Sequence, residues 1–137
     1  MNTRNYFFLI LFFSLGLLGT KTAQSATTGT SDYGNEIYTN VKLVSSESEL
    51  VGWRIQIIQA SSRVYVLLQE FEGVAQNPCL IEATIVGSTL HFDLPKSCYG
   101  EGDFTGFLQG KWLIGNFSNG MLGPDGEKKM KLRRISQ

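Results

Sequence analysis

Cys79-Leu80-Ile81-Glu82-Ala83-Thr84-Ile85-Val86-Gly87-Ser88-Thr89-Leu90-His91-Phe92-Asp93-Leu94 is the stretch that decides the fold. Two runs rich in β-branched and aromatic residues flank Gly87-Ser88, a two-residue turn of the hairpin kind. Pairing Val86 with Thr89 sets Ile85 opposite Leu90, Ala83 opposite Phe92 and Ile81 opposite Leu94. These six apolar residues share one face; Glu82, Thr84, His91 and Asp93 share the other. A slip of one residue would mix the two sets, so pattern and register support each other. The same register sets Cys79 opposite Lys96, with Cys98 two residues beyond it at the hairpin's open end. A disulfide fits there as a staple.

A second hairpin passes the same test. Gly110-Lys111 as a turn pairs Gln109 with Trp112, Leu108 with Leu113, Gly106 with Gly115 and Phe104 with Phe117. Glycines inside strands mark a bend or a close backbone approach. Gly52, beside Trp53, is a third position of this kind. Working outward, short β-branched and aromatic runs predict strands at 37–44, 50–59, 63–71, 79–86, 89–94, 103–109, 112–117 and 128–135, and no helical period lasts three turns. Bent, consecutive, antiparallel strands predict an all-β fold, a small eight-stranded antiparallel up-and-down β-barrel, with a β-sandwich as the alternative. As a pattern of hairpins over residues 36–135, the chain resembles the small calycin-like barrels of the lipocalin and streptavidin type. That resemblance implies a ligand cavity or an outer recognition surface. It transfers no functional residue, because Gly52 and Trp53 are adjacent and so lack the Gly-x-Trp spacing of lipocalins.

The N-terminus has the three-part pattern of a secretory signal peptide. Arg4 precedes the apolar run Tyr6–Gly19, and Ala23-Gln24-Ser25-Ala26 offers small residues for cleavage after Ser25. The run is 14 residues long, short of the roughly 20 that a spanning helix needs. Residues 1–25 are therefore expected to be a cleaved signal, 26–35 a flexible leader rich in Thr, Ser and Gly, and 36–137 a single barrel domain. The expected location is secreted or periplasmic, with no transmembrane span after cleavage. Outside the reducing cytoplasm two cysteines are expected to pair, closing a loop of about 20 residues worth roughly 3 kcal/mol.

Twelve Lys and Arg balance twelve Asp and Glu, which argues against a nucleic-acid binder with its strongly basic footprint. His91, the only histidine, shares a strand face with Glu82 and Asp93. That polar cluster falls short of the three or four ligands of a zinc site, so no metal or cofactor is expected. Nor does it lie near a nucleophile elbow. Glu70, Glu72, Glu101 and Asp103 are the acids whose convergence would make a glycosidase-type pair.

Recognition has more material. Lys129, Lys131 and Arg133 alternate with Met130 and Leu132, as in a strand with one wet face. Phe107 and Trp112 fall on the face opposite Phe104 and Phe117. Trp53 and Tyr65 are further aromatic contact candidates, and Asn116-Phe117-Ser118 matches the N-glycosylation acceptor pattern. The inward set of the predicted strands is bulky and favours a filled core, while Gly106 facing Gly115 offers a candidate cavity wall. The resulting expectation is an exported, non-enzymatic protein that recognises a protein partner by its outer face or loops, with an inhibitor-like mode as one form of that recognition. The alternatives are a carrier of a small apolar ligand and an enzyme with an unrecognised site. Oligomeric state is not encoded in any of these features.

Overall fold

In the computed structural model, which describes residues 34–46 and 48–135, the Gly87-Ser88 hairpin forms in the predicted register. Val86 faces Thr89, Ile85 faces Leu90 and Thr84 faces His91. The expectations for residues 1–25, and for all of 26–35 except Gly34 and Asn35, lie outside the described residues.

Nine strands follow in order: β1 (Glu36–Thr39), β2 (Lys42–Val44), β3 (Glu49–Ala60), β4 (Arg63–Ala75), β5 (Cys79–Val86), β6 (Thr89–Leu94), β7 (Gly102–Gln109), β8 (Trp112–Phe117) and β9 (Met130–Ile135). From β3 to β9 each strand pairs antiparallel with the next, and β1 closes the ring by pairing with both β3 and β9. The product is a closed eight-stranded antiparallel barrel, with β2 as one further strand against β3. Closure excludes the sandwich. There is no helix among the described residues, and hence none long and apolar enough to cross a membrane.

The predicted first strand, 37–44, divides into β1 and β2 without losing register, since Thr39 faces Arg54 and Lys42 faces Val51. At the break the Asn40 side chain stands in for a backbone carbonyl: its Oδ1 accepts the Trp53 N–H at 2.7 Å. The Asn40 N–H donates to the Trp53 carbonyl at 3.1 Å. Opposite lies Gly52 at φ +127°, where a Cβ would stand 2.9 Å from the Asn40 carbonyl oxygen. Only glycine accommodates both that dihedral and that approach. The bend expected at Gly52 is therefore real, and it turns β2 away from β9.

The last strand begins at Met130 rather than at residue 128. Lys128 and Lys129 instead end the segment 118–129, which folds over one end of the barrel. Trp53 Nε1 donates to the Leu122 carbonyl at 3.0 Å, and Lys42 pairs with Asp125. Other residues of that end pack nearby: Tyr99, in the loop after β6, meets Trp53 edge-on with ring centroids 5.5 Å apart, and Phe117, at the end of β8, meets it at 5.1 Å. Trp53 is thus a buried plug, not the surface contact proposed from its residue type. Cys79 and Cys98 form a disulfide across the open end of the β5–β6 hairpin, with a Cα–Cα separation of 5.9 Å.

Inside, the alternation predicted for the strands holds. Ile55, Ile57, Leu90, Phe92, Leu94, Phe104, Leu113, Met130 and Leu132 are buried, joined by Tyr38, Val66 and Leu68. Each such side chain contributes about 1.5–3 kcal/mol relative to exposure. Phe92 stacks on Phe104, and Phe104 and Phe92 both touch Phe117.

Candidate functional site

Because the barrel's inner positions are apolar, its chemistry lies on the outer positions and in the loops. On the β5–β6 side the outward polar residues satisfy one another. His91 Nδ1 is 3.0 Å from Thr105 Oγ1, and its Nε2 is 3.5 Å from Asp93 Oδ1. Glu82 lies 3.9 Å from Arg63 instead of joining that group. Both ring nitrogens of His91 are engaged, and no group of three or more His, Cys, Asp or Glu among the described residues could hold a metal ion.

The four acids noted in the sequence do not converge on one site. Glu101 pairs with Lys96, and Asp103 faces Asp93 across the β6–β7 ladder. Glu70 and Glu72 do share a shallow pocket of about 160 Å³ at the loop end, with Trp53 and Leu122. Burial pushes the Glu70 carboxyl above its usual range, and the charge of Glu72 adds to the shift.

The β7–β9 side is different. Three outward rows cross it. Val86, Thr89, Phe107, Ile114 and Lys131 form one row, strand by strand. Gln109, Trp112, Arg133 and Thr39 form the second. His91, Thr105 and Asn116 form the third. Phe107 is 54% exposed and Val86 is 76% exposed, so the first row presents apolar side chains to solvent, interrupted by Thr89 and ended by Lys131. Trp112 is half-buried. The Lys131 ammonium lies 4.2 Å from its ring centroid and that of Lys111 lies 5.7 Å away, a cation–π arrangement that holds the indole against the sheet.

Next to the first row the sheet parts. β8 and β9 pair only as far as Gly115 with Met130, and beyond that point segment 118–129 leaves the ladder to cover the end of the barrel. The opening is a groove of about 440 Å³, lined by Phe107, Ile114, Asn116, Met121, Lys128 and Lys129 among others. Asn116, the asparagine of the glycosylation pattern, is exposed on its rim. The Ser118 hydroxyl accepts the Asp103 N–H at 2.8 Å.

Of the residues picked out from sequence, Phe107, Trp112, Lys129, Lys131 and Arg133 are brought together on this one face. Ile114 is not singled out by the sequence and Asn116 only by its glycosylation pattern, although the Gly110-Lys111 register sets both outward beside Phe107. Met121 and Lys128 join through the path of the loop, for which the sequence carries no periodic signal. Gly106 and Gly115 face each other as expected. The room they leave is taken, however: a Cβ on Gly106 would meet Phe104 Cε1 at 2.7 Å, and one on Gly115 would meet Phe104 Cζ at 2.6 Å. Compared with known proteins, the chain matches no family model, no curated protein and no solved structure.

Proposed function

We propose that this is an exported, non-enzymatic recognition protein that binds a partner protein through the outer face of β7–β9. The observation that carries the reading is the groove beside Phe107, an open concavity on the closed sheet lined by apolar side chains and edged by polar ones. Exposed aromatic side chains set in a concavity and ringed by polar groups are the usual anchors of protein interfaces. The Cys79–Cys98 disulfide supports an oxidising location outside the cytoplasm, as does the signal pattern of residues 1–25. Surface recognition is favoured over cargo inside the barrel because the Phe104 ring fills the space beside the paired glycines.

The test is capture of partners from the medium or envelope of the exporting cell on immobilised wild-type protein and on the Phe107→Ser variant. A protein retained by the wild type, lost with Phe107→Ser and rebound after purification supports the proposal. Retention that ignores Phe107, or recovery of only a small apolar molecule, contradicts it.

A further inference from the structure

The charges on the same face are segregated. Lys111, Lys128, Lys129, Lys131 and Arg133 are all exposed. Among the described residues, none of them has a carboxylate oxygen within 4.0 Å. Four other cations of the barrel do have such partners: Lys42 has Asp125, Lys96 has Glu101, Arg63 has Glu82 and Arg134 has Glu36, while Arg54 lies over the Phe71 ring. The chain as a whole is neutral, so the excess on this face is balanced by acids elsewhere. No acid occupies an outward position of β8 or β9.

Unneutralised charge around an open groove disfavours like-charged partners and steers opposite ones. We infer that the partner presents an acidic protein segment whose carboxylates meet Lys129, Lys131 and Arg133 while a large apolar side chain enters the groove beside Phe107. A protein segment suits the site better than an anionic lipid surface. Trp112, the aromatic side chain that a bilayer interface would take up, is half-buried and has the Lys131 ammonium 4.2 Å from its ring centroid. The groove is also edged by Asn116 and Thr105, groups suited to hydrogen bonding with a polypeptide.

This inference rests on the proposed recognition role of the face, and the two fail differently. The probe is a short fluorescent peptide with one Phe flanked by Glu residues, compared with the same peptide carrying Lys for Glu and with Ser for Phe. Phosphatidylglycerol vesicles serve as the lipid arm. Expected is binding of the Glu–Phe peptide alone, weakened at least about tenfold by Lys129→Glu with Arg133→Glu, and by added salt, because exposed charges are screened. Lys129→Arg should keep the affinity. Thermal unfolding of each variant checks that the barrel is intact. Peptide binding indifferent to charge reversal overturns the acidic-segment inference, as does vesicle binding without peptide binding. If charge reversal leaves the captured partner bound while Phe107→Ser releases it, only the inference fails. If both variants keep the partner, the recognition role fails as well.

Discussion

The β5–β6 and β7–β8 hairpins are built alike and finished differently. Each turns on a glycine in the left-handed region, Gly87 at φ 60° and Gly110 at φ 58°, the first central position of a II′-type turn. Each sends alternate side chains into one shared core. The β5–β6 hairpin is held by a covalent staple, and His91 and Asp93 on its outer face are engaged with each other. The β7–β8 hairpin is held by backbone closeness at Gly106 and Gly115, and around Phe107 its outer face adjoins the cations Lys111, Lys129 and Lys131, with its one acid, Asp103, at the far end of β7. The polar outer side chains of β5–β6 engage one another, whereas the cations beside Phe107 have no carboxylate partner among the described residues, the difference on which the proposed recognition role rests.

Four perturbations break or sharpen that contrast. The largest effect is expected from removing the staple. Cys79→Ala with Cys98→Ala frees a loop spanning a separation of 19 residues, and chain entropy predicts a loss of about 3 kcal/mol. Chemical unfolding midpoints of wild type and variant under non-reducing conditions measure it. Next is Gly115→Ala, where a Cβ would stand 2.5 Å from the Thr105 carbonyl oxygen. The neighbour is backbone, so the strands must part, at a cost of about 1–3 kcal/mol. Gly87→Ala has no neighbour within 4 Å and strains only the dihedral at φ +60°, so it should cost less than Gly115→Ala in the same assay.

The third perturbation separates stability from recognition. Phe107→Ser should change stability by no more than about 0.5 kcal/mol, as for other surface positions, yet abolish partner capture. His91→Gln should leave capture unchanged. A variant pair that behaves the other way round would place recognition on the β5–β6 face. The smallest effect concerns Glu70, whose carboxyl is held above its usual range chiefly by burial. A raised folded-state value means that ionisation costs stability above it, and that the cost disappears as pH falls and both states bind the proton. Glu70→Gln should therefore be at least as stable as wild type at pH ~7, with the difference vanishing near pH ~3. Denaturant midpoints at the two pH values decide the sign.

These features were legible to different degrees, for physical reasons. Both hairpins could be read because their registers depend on residues a few positions apart, and inward and outward sets separate cleanly around Gly87 and Gly110. The disulfide followed from one of those registers. The break between β1 and β2 was half visible: Gly52 announced a bend, but the carbonyl-like role of the Asn40 side chain depends on a strand 13 residues away. The groove was least visible. It exists because segment 118–129 leaves the β8–β9 ladder to reach Trp53 and Lys42, contacts 69 and 83 residues apart in the chain. Phe107, Trp112 and the alternating cations could be placed on one face from sequence, but the concavity between them could not.

The most direct test of the central claim is a titration of isotope-labelled barrel with the captured partner, followed residue by residue through amide chemical shifts. Recognition by the β7–β9 face predicts perturbations at Thr105, Phe107, Ile114, Asn116 and residues 129–133, with the outer faces of β3–β6 unchanged. Perturbations concentrated on inward residues such as Phe92, Phe104 and Leu113, or on the outer face of β3–β5, would contradict it.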